Sequence, residues 1–89
     1  MALQILNAGP GPDEVVAKIR QAIAVELPEA EITVTAGSPG HFEIRVVSGT
    51  FAGRSRVQQQ QLVYKAITPL MSGNAAPVHA VDRLECVTP

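Results

Sequence analysis

The sequence predicts an α+β domain in which two amphipathic helices pack against a small three-stranded mixed sheet. Apolar residues recur at helical spacing in two stretches, beginning near Pro12 and Ser55, and alternate with polar residues in three shorter ones. A short Gly/Pro turn joins the first two alternating stretches, which makes them antiparallel neighbours. A whole helix separates the second from the third, and a crossover of that kind makes the third parallel. The expected order is α-β-β-α-β.

Residues 1–11, MALQILNAGPG, read as a flexible leader ending in turn residues, with a single domain over residues 12–89. Pro12 suits a first helical turn, and Asp13 and Glu14 favour the positive end of the helix dipole. Val15, Ile19, Ile23 and Leu27 then follow at i+4 steps, with Val16 and Ala22 widening the stripe, until Pro28 stops the helix. Glu31–Thr35 alternates as a half-buried strand should, and AGSPG (Ala36–Gly40) is a turn by composition. Phe42, Ile44 and Val46 alternate with Glu43, Arg45 and Val47 in a second strand.

Ser48–Arg54 is a loop carrying Phe51 as a hydrophobic plug. The second helix starts at about Ser55, with a stripe of Val57, Tyr64, Ile67 and Met71 supported by Val63 and Leu70. Pro69 is expected to kink or break it, adding a short extra helix, because proline lacks the amide proton and clashes with the preceding turn. Val78–Val87 is the third strand, although its alternation is untidy.

Composition bounds the function. A chain of 89 residues buries roughly 60% of its unfolded surface, and a hydrophobic content of 46% supports a globular chain. Seven basic and eight acidic residues give a net charge of −1, which is not the signature of a duplex binder. The single cysteine, Cys86, allows no internal disulfide and no Cys-rich zinc pattern, and suits a reducing compartment. No apolar run approaches the ~20 residues a membrane span needs. Met1–Leu6 is short and lacks the basic start of a signal peptide. The expectation is a soluble, cytoplasmic protein with no membrane association.

SRVQQQQLVY (Ser55–Tyr64) is more informative than a low-complexity tract. Ser55 followed three residues later by Gln58 forms a capping box, and glutamine is a good helix former. Four glutamines span a full turn, so they cannot all point to solvent.

The run H-F-x-(I/V)-x-V-V-S-x-x-F-x-G-x-S-R-V-x-x-Q-Q-x-V-Y, here His41 to Tyr64, resembles the signature of the BolA family. V-H-A-V (Val78–Val81) and the closing Thr88–Pro89 match it as well. Gln59–Gln60–Gln61 stand where many members carry Arg-His-Arg, which is similar to the IbaG-like branch. The resemblance implies a class II KH-like fold of order αββααβ. It also implies a heterodimer with a monothiol glutaredoxin around a shared [2Fe–2S] cluster, with glutaredoxin cysteine and glutathione on one side. The sequence leaves open whether the chain alone also self-associates as a homodimer.

On the same resemblance, His79, the histidine of V-H-A, is the metal ligand from this chain. Relatives with a second ligand carry it in a longer loop between the first two strands. Here that loop is AGSPG, with neither histidine nor cysteine, which leaves His41 as the nearby candidate. Spacing alone does not assign either histidine to a metal. No catalytic residue is assigned. His79 and Cys86 differ by an odd number, which on a continuous strand puts them on opposite faces, and nothing resembles a nucleophile elbow.

The competing reading is a KH-like nucleic-acid-binding regulator of transcription or stress response, using Arg54, Arg56 and Lys65. Three phosphate contacts would give a log–log salt slope of only about −2.7, a weak interaction. The blandest reading is a docking module without a cluster, using Ala80, Val81 and the apolar side of the second helix.

Overall fold

In a computed structural model, residues 11–73 and 75–89 are described, so residues 1–10 of the expected leader lie outside the described residues. Helix α1 runs Pro12–Glu26, strands β1 and β2 run Glu31–Ala36 and His41–Val47, helix α2 runs Arg56–Met71 and strand β3 runs Ala80–Val87. The sheet order is β1-β2-β3, with β1 antiparallel and β3 parallel to the central β2. A 3-10 turn, Gly49–Phe51, precedes α2. The observed order is compatible with the expected αββααβ, with this turn as the additional helical element.

Both helices cover one face of the sheet. Val15, Ile19, Ile23 and Leu27 of α1 meet Val34, Phe42, Ile44 and Val46 of the sheet, with Val63 and Ile67 of α2 closing the core. Burying each such side chain contributes about 1.5–3 kcal/mol. The opposite face, carrying Thr33, Thr35, Glu43 and Arg45, is exposed. The expected plug Phe51 is fully buried.

The loop before α2 is tied down by polar contacts. The buried Ser48 hydroxyl donates to Glu29 Oε1 at 2.6 Å, and the Gly49 amide donates to the same oxygen at 3.1 Å. The Ser48 hydrogen bond is the largest influence holding the Glu29 carboxyl below its ordinary value, against an opposing effect of burial.

Three local expectations are corrected. Pro69 lies inside α2 rather than breaking it. Only two helical residues follow it, so the missing donor costs one ladder bond near a terminus where bonds already run out. Val57 and Tyr64 are 60% and 37% exposed, whereas Leu62 and Ala66 pack on the core beside Val63 and Ile67. The buried face of α2 is therefore rotated away from the expected stripe.

The third correction concerns β3. The register passes from Phe42↔Val81 to Glu43↔Arg83, so Asp82 is an extra residue at a bulge. Val81 and Leu84 consequently share the core face despite an odd separation. This is the source of the untidy alternation.

Candidate functional site

His79 stands immediately before β3, beside the end of the β1–β2 turn. Its amide donates to the Gly40 carbonyl at 2.8 Å, and the Ala80 amide donates to the same oxygen at 3.1 Å. The turn itself is closed by Gly37 N–H to the His41 carbonyl at 2.9 Å and by His41 N–H to the Ser38 carbonyl at 2.8 Å. Gly40 has φ +79°, a region that favours glycine. A Cβ at this position would lie 2.6 Å from His79 Nδ1 and 2.7 Å from its Cγ. The imidazole therefore packs against a bare Cα, while His79 as a whole stays exposed.

His41 opens β2 opposite Ala80, so the two histidines belong to adjoining strand starts. Its Nδ1 lies 2.9 Å from Asp82 Oδ1. A carboxylate can only accept, so Nδ1 carries the hydrogen, and a neutral His41 then presents its lone pair on Nε2. A groove of about 220 Å³ adjoins this edge, lined by Pro12, Ala36, Pro39, Phe42 and Pro77 among others.

Among the described residues, no group of three or more His, Cys, Asp or Glu side chains is arranged to hold a metal. His41 is held by Asp82 and His79 lies against Gly40, and the two do not form a shared coordination shell among the described residues. A single exposed imidazole at this edge fits a cluster whose remaining ligands come from elsewhere.

Cys86 is removed from this edge for a reason other than the one expected. The bulge puts Cys86 on the core face with Val81 and Leu84, so counting residues along β3 does not separate it from His79. Distance does: seven residues of strand at about 3.3 Å each amount to roughly 23 Å. Cys86 packs partly against the core, and burial pushes its thiol up, away from the reactive thiolate.

The basic residues line two different grooves. Arg54 and Lys65 flank a groove with Gln58 and Gln61, whereas Arg56 lines a different cleft with Gln59, Gln60, Arg83 and Glu85. Arg54 is also engaged locally, its Nε donating to the Thr50 carbonyl at 3.0 Å.

The glutamines divide by role. Gln58 completes the capping box with Ser55 in both directions. Gln59 Nε2 donates to the Phe51 and Arg54 carbonyls, each at 3.1 Å, fastening the preceding loop to α2. Gln60 is half-buried and Gln61 exposed. Sequence reasoning missed Asp82 because only the bulge brings it to His41. It missed the demand on Gly40 because that depends on a residue 39 positions away.

The BolA-like protein family model matches residues 19–89. The chain belongs to the BolA family. It is 38% identical over 79 residues to BolA-like protein 1 of Mus musculus, a match covering 83% of this chain and 56% of the relative. The chain thus spans little more than half the length of that relative. The solution structure of mouse BolA1 superposes with a TM-score of 0.72 at 31% identity, covering 100% of this chain and 77% of the other. The BolA domain of SufE1 from Arabidopsis thaliana superposes with a TM-score of 0.67 at 29% identity, covering 91% and 96%. These likenesses show the α+β fold and the family. Among the described residues, no helix is long and apolar enough to cross a membrane.

Proposed function

We propose that this BolA-family chain is an accessory protein of iron–sulfur metabolism, which binds a monothiol glutaredoxin and contributes His79 to a shared [2Fe–2S] cluster. The observation that carries the reading is the His79 edge. An exposed imidazole is seated on Gly40, with the backbone on either side of it fixed by two hydrogen bonds. One exposed donor, in no group of three or more ligating side chains among the described residues, suits a site completed by another protein and glutathione.

When bound, a histidine-ligated cluster supplies electron-accepting and cluster-transfer chemistry at a higher potential than an all-thiolate one. This chain's part is to present the His79 imidazole and hold the backbone around it in place. That is binding and cofactor handling rather than catalysis, in keeping with a Cys86 thiol kept from ionising and far along the strand from His79. The function suits a cytoplasmic, reducing setting.

The nucleic-acid reading ranks second. Arg54, Arg56 and Lys65 are divided between two grooves, and Arg54 is engaged by its own loop.

The test is to mix the protein with a monothiol glutaredoxin, iron, sulfide and glutathione, and to record visible absorption and circular dichroism. The wild type should give a heterodimer whose spectrum differs from that of the glutaredoxin alone with its cluster. His79→Ala should abolish that difference. A mutant spectrum indistinguishable from the wild type would sink the assignment.

A further inference from the structure

We propose that the free edge of β1 is a self-pairing surface, on which a second copy of this chain adds its own β1 antiparallel about a two-fold axis at Val34. The inference does not depend on the cluster reading.

β1 is an edge strand, because the sheet order is β1-β2-β3. Alternation along the ladder fixes which of its backbone groups are free. The Gly40 carbonyl and the Ser48 amide, even-numbered residues on either side of β2, both bond to the segment that carries β3. Even-numbered residues of β2 therefore turn their backbone toward β3, and odd-numbered ones turn toward β1. Glu31, Thr33 and Thr35 lie opposite Val47, Arg45 and Glu43, so they hold the inward bonds. The amides and carbonyls of Ile32, Val34 and Ala36 point outward. Among the described residues, no other strand and no loop backbone reaches them.

Strand edges are ordinarily guarded by bulges, prolines or charges. β3 is guarded, with a bulge at Asp82 and both Asp82 and Arg83 exposed. β1 has neither bulge nor proline, and its one charge, Glu31, is its first residue. A second copy fits this edge without conflict. Val34 meets the partner's Val34 and Ile32 meets the partner's Ala36 on the core face, while Thr33 meets the partner's Thr35 on the open face. The outward groups of all three residues are then paired, half-exposed Ile32 gains cover, and no charge opposes another. Sliding the pairing by one step toward the N-terminus would call on the Ala30 amide, which already donates to the Leu27 carbonyl at 3.0 Å.

Such pairing is strand addition in its symmetric form. Six residues of strand span roughly 20 Å, less than a standard interface needs, so the association is weak and follows concentration. β3 forms the far edge of the sheet, so His79, just before it, stays open in both copies.

The experiment is sedimentation of the full chain from about 10 μM to about 1 mM, with amide hydrogen exchange read by NMR at both ends of that range. A monomer–dimer equilibrium should appear. The Ile32, Val34 and Ala36 amides should slow as the dimer fills, whereas Thr33 and Thr35 should be slow throughout. Thr33→Lys with Thr35→Lys sets like charges opposite each other across the axis and should weaken association about 10-fold. Thr33→Glu with Thr35→Lys sets opposite charges there and should tighten it roughly 3- to 10-fold. Within one copy Thr33 faces Arg45 and Thr35 faces Glu43, so the second variant also suits its own sheet and decides the matter even if the first unfolds.

A chain that stays monomeric to about 1 mM with fast exchange at Ile32, Val34 and Ala36 overturns the proposal. So does self-association that leaves those amides fast, or that Thr33→Glu with Thr35→Lys does not tighten. Slowing of those amides only when a glutaredoxin is added would place a different partner on the edge and overturn it as well. Failure to assemble a cluster with a glutaredoxin would sink the proposed function and leave these results standing.

Discussion

Gly40 and His79 are matched across the start of the sheet: the glycine has φ +79°, and any Cβ on it would stand 2.6 Å from the imidazole Nδ1. Two independent constraints therefore fall on one residue. Gly40→Ala should destabilise the fold by about 1–3 kcal/mol through backbone strain, beyond the ordinary effect of a loop substitution. Urea denaturation measures this. The same variant should shift the His79 ring resonances in NMR spectra, whereas Gly49→Ala, with open space around it and no positive φ, should leave them in place. Unmoved His79 resonances in Gly40→Ala would contradict the close contact.

The glutamine run offers a comparison within one helix turn. Gln59→Ala removes two hydrogen bonds that fasten the Phe51–Arg54 loop to α2, and should cost about 1–2 kcal/mol. Gln61→Ala, on an exposed position, should stay within about 0.5 kcal/mol of the wild type. Equal midpoints in chemical denaturation for the two variants would show that the run is a uniform solvated face.

Glu29 makes stability depend on pH in a definite direction. Its carboxyl is held below the ordinary value of 4.5 chiefly by the Ser48 hydroxyl, so the folded state binds its proton less readily than the unfolded chain. The contribution is present in full above the unfolded value and is lost as pH falls through the folded one. The stability gap between wild type and Glu29→Gln should thus be constant from pH 6 to 7 and shrink below about pH 4.5. Denaturant midpoints across that range measure it. A gap that widens on acidification would contradict the assignment.

Nucleic acid should bind weakly and without sequence preference. If Arg54, Arg56 and Lys65 all reached phosphates, the log–log salt slope would be about −2.7, and their division between two grooves lowers it further. An electrophoretic shift titrated over salt should show no retention at physiological ionic strength. Tight, sequence-dependent retention there would reverse the ranking of the two functions.

Much of the fold was legible because its signals are local. The i+4 stripe of α1, the alternation of β2, the Ser55–Gln58 capping box and the AGSPG turn each depend on residues a few positions apart. What escaped sequence reasoning depends on tertiary neighbours. The phase of α2 was misread because Val57 and Tyr64 are apolar enough to imitate a core stripe, while Gln59 and Gln60 lie on the side that packs. The bulge at Asp82 is invisible to a period-two reading, since one inserted residue reverses the parity of everything after it. The candidate site shows the same division. His79 and His41 could be named from the motif, but the Gly40 seat and the Asp82 contact join segments about 40 residues apart.

The central claim is that the His79 imidazole enters the coordination of the shared cluster. The most direct measurement is pulsed electron–nuclear double resonance on the reduced heterodimer, with this chain alone carrying 15N-histidine. The account predicts 15N couplings of directly bound nitrogen that His79→Ala removes. Absence of any strong 15N coupling in the wild-type complex, or its persistence in His79→Ala, would contradict it.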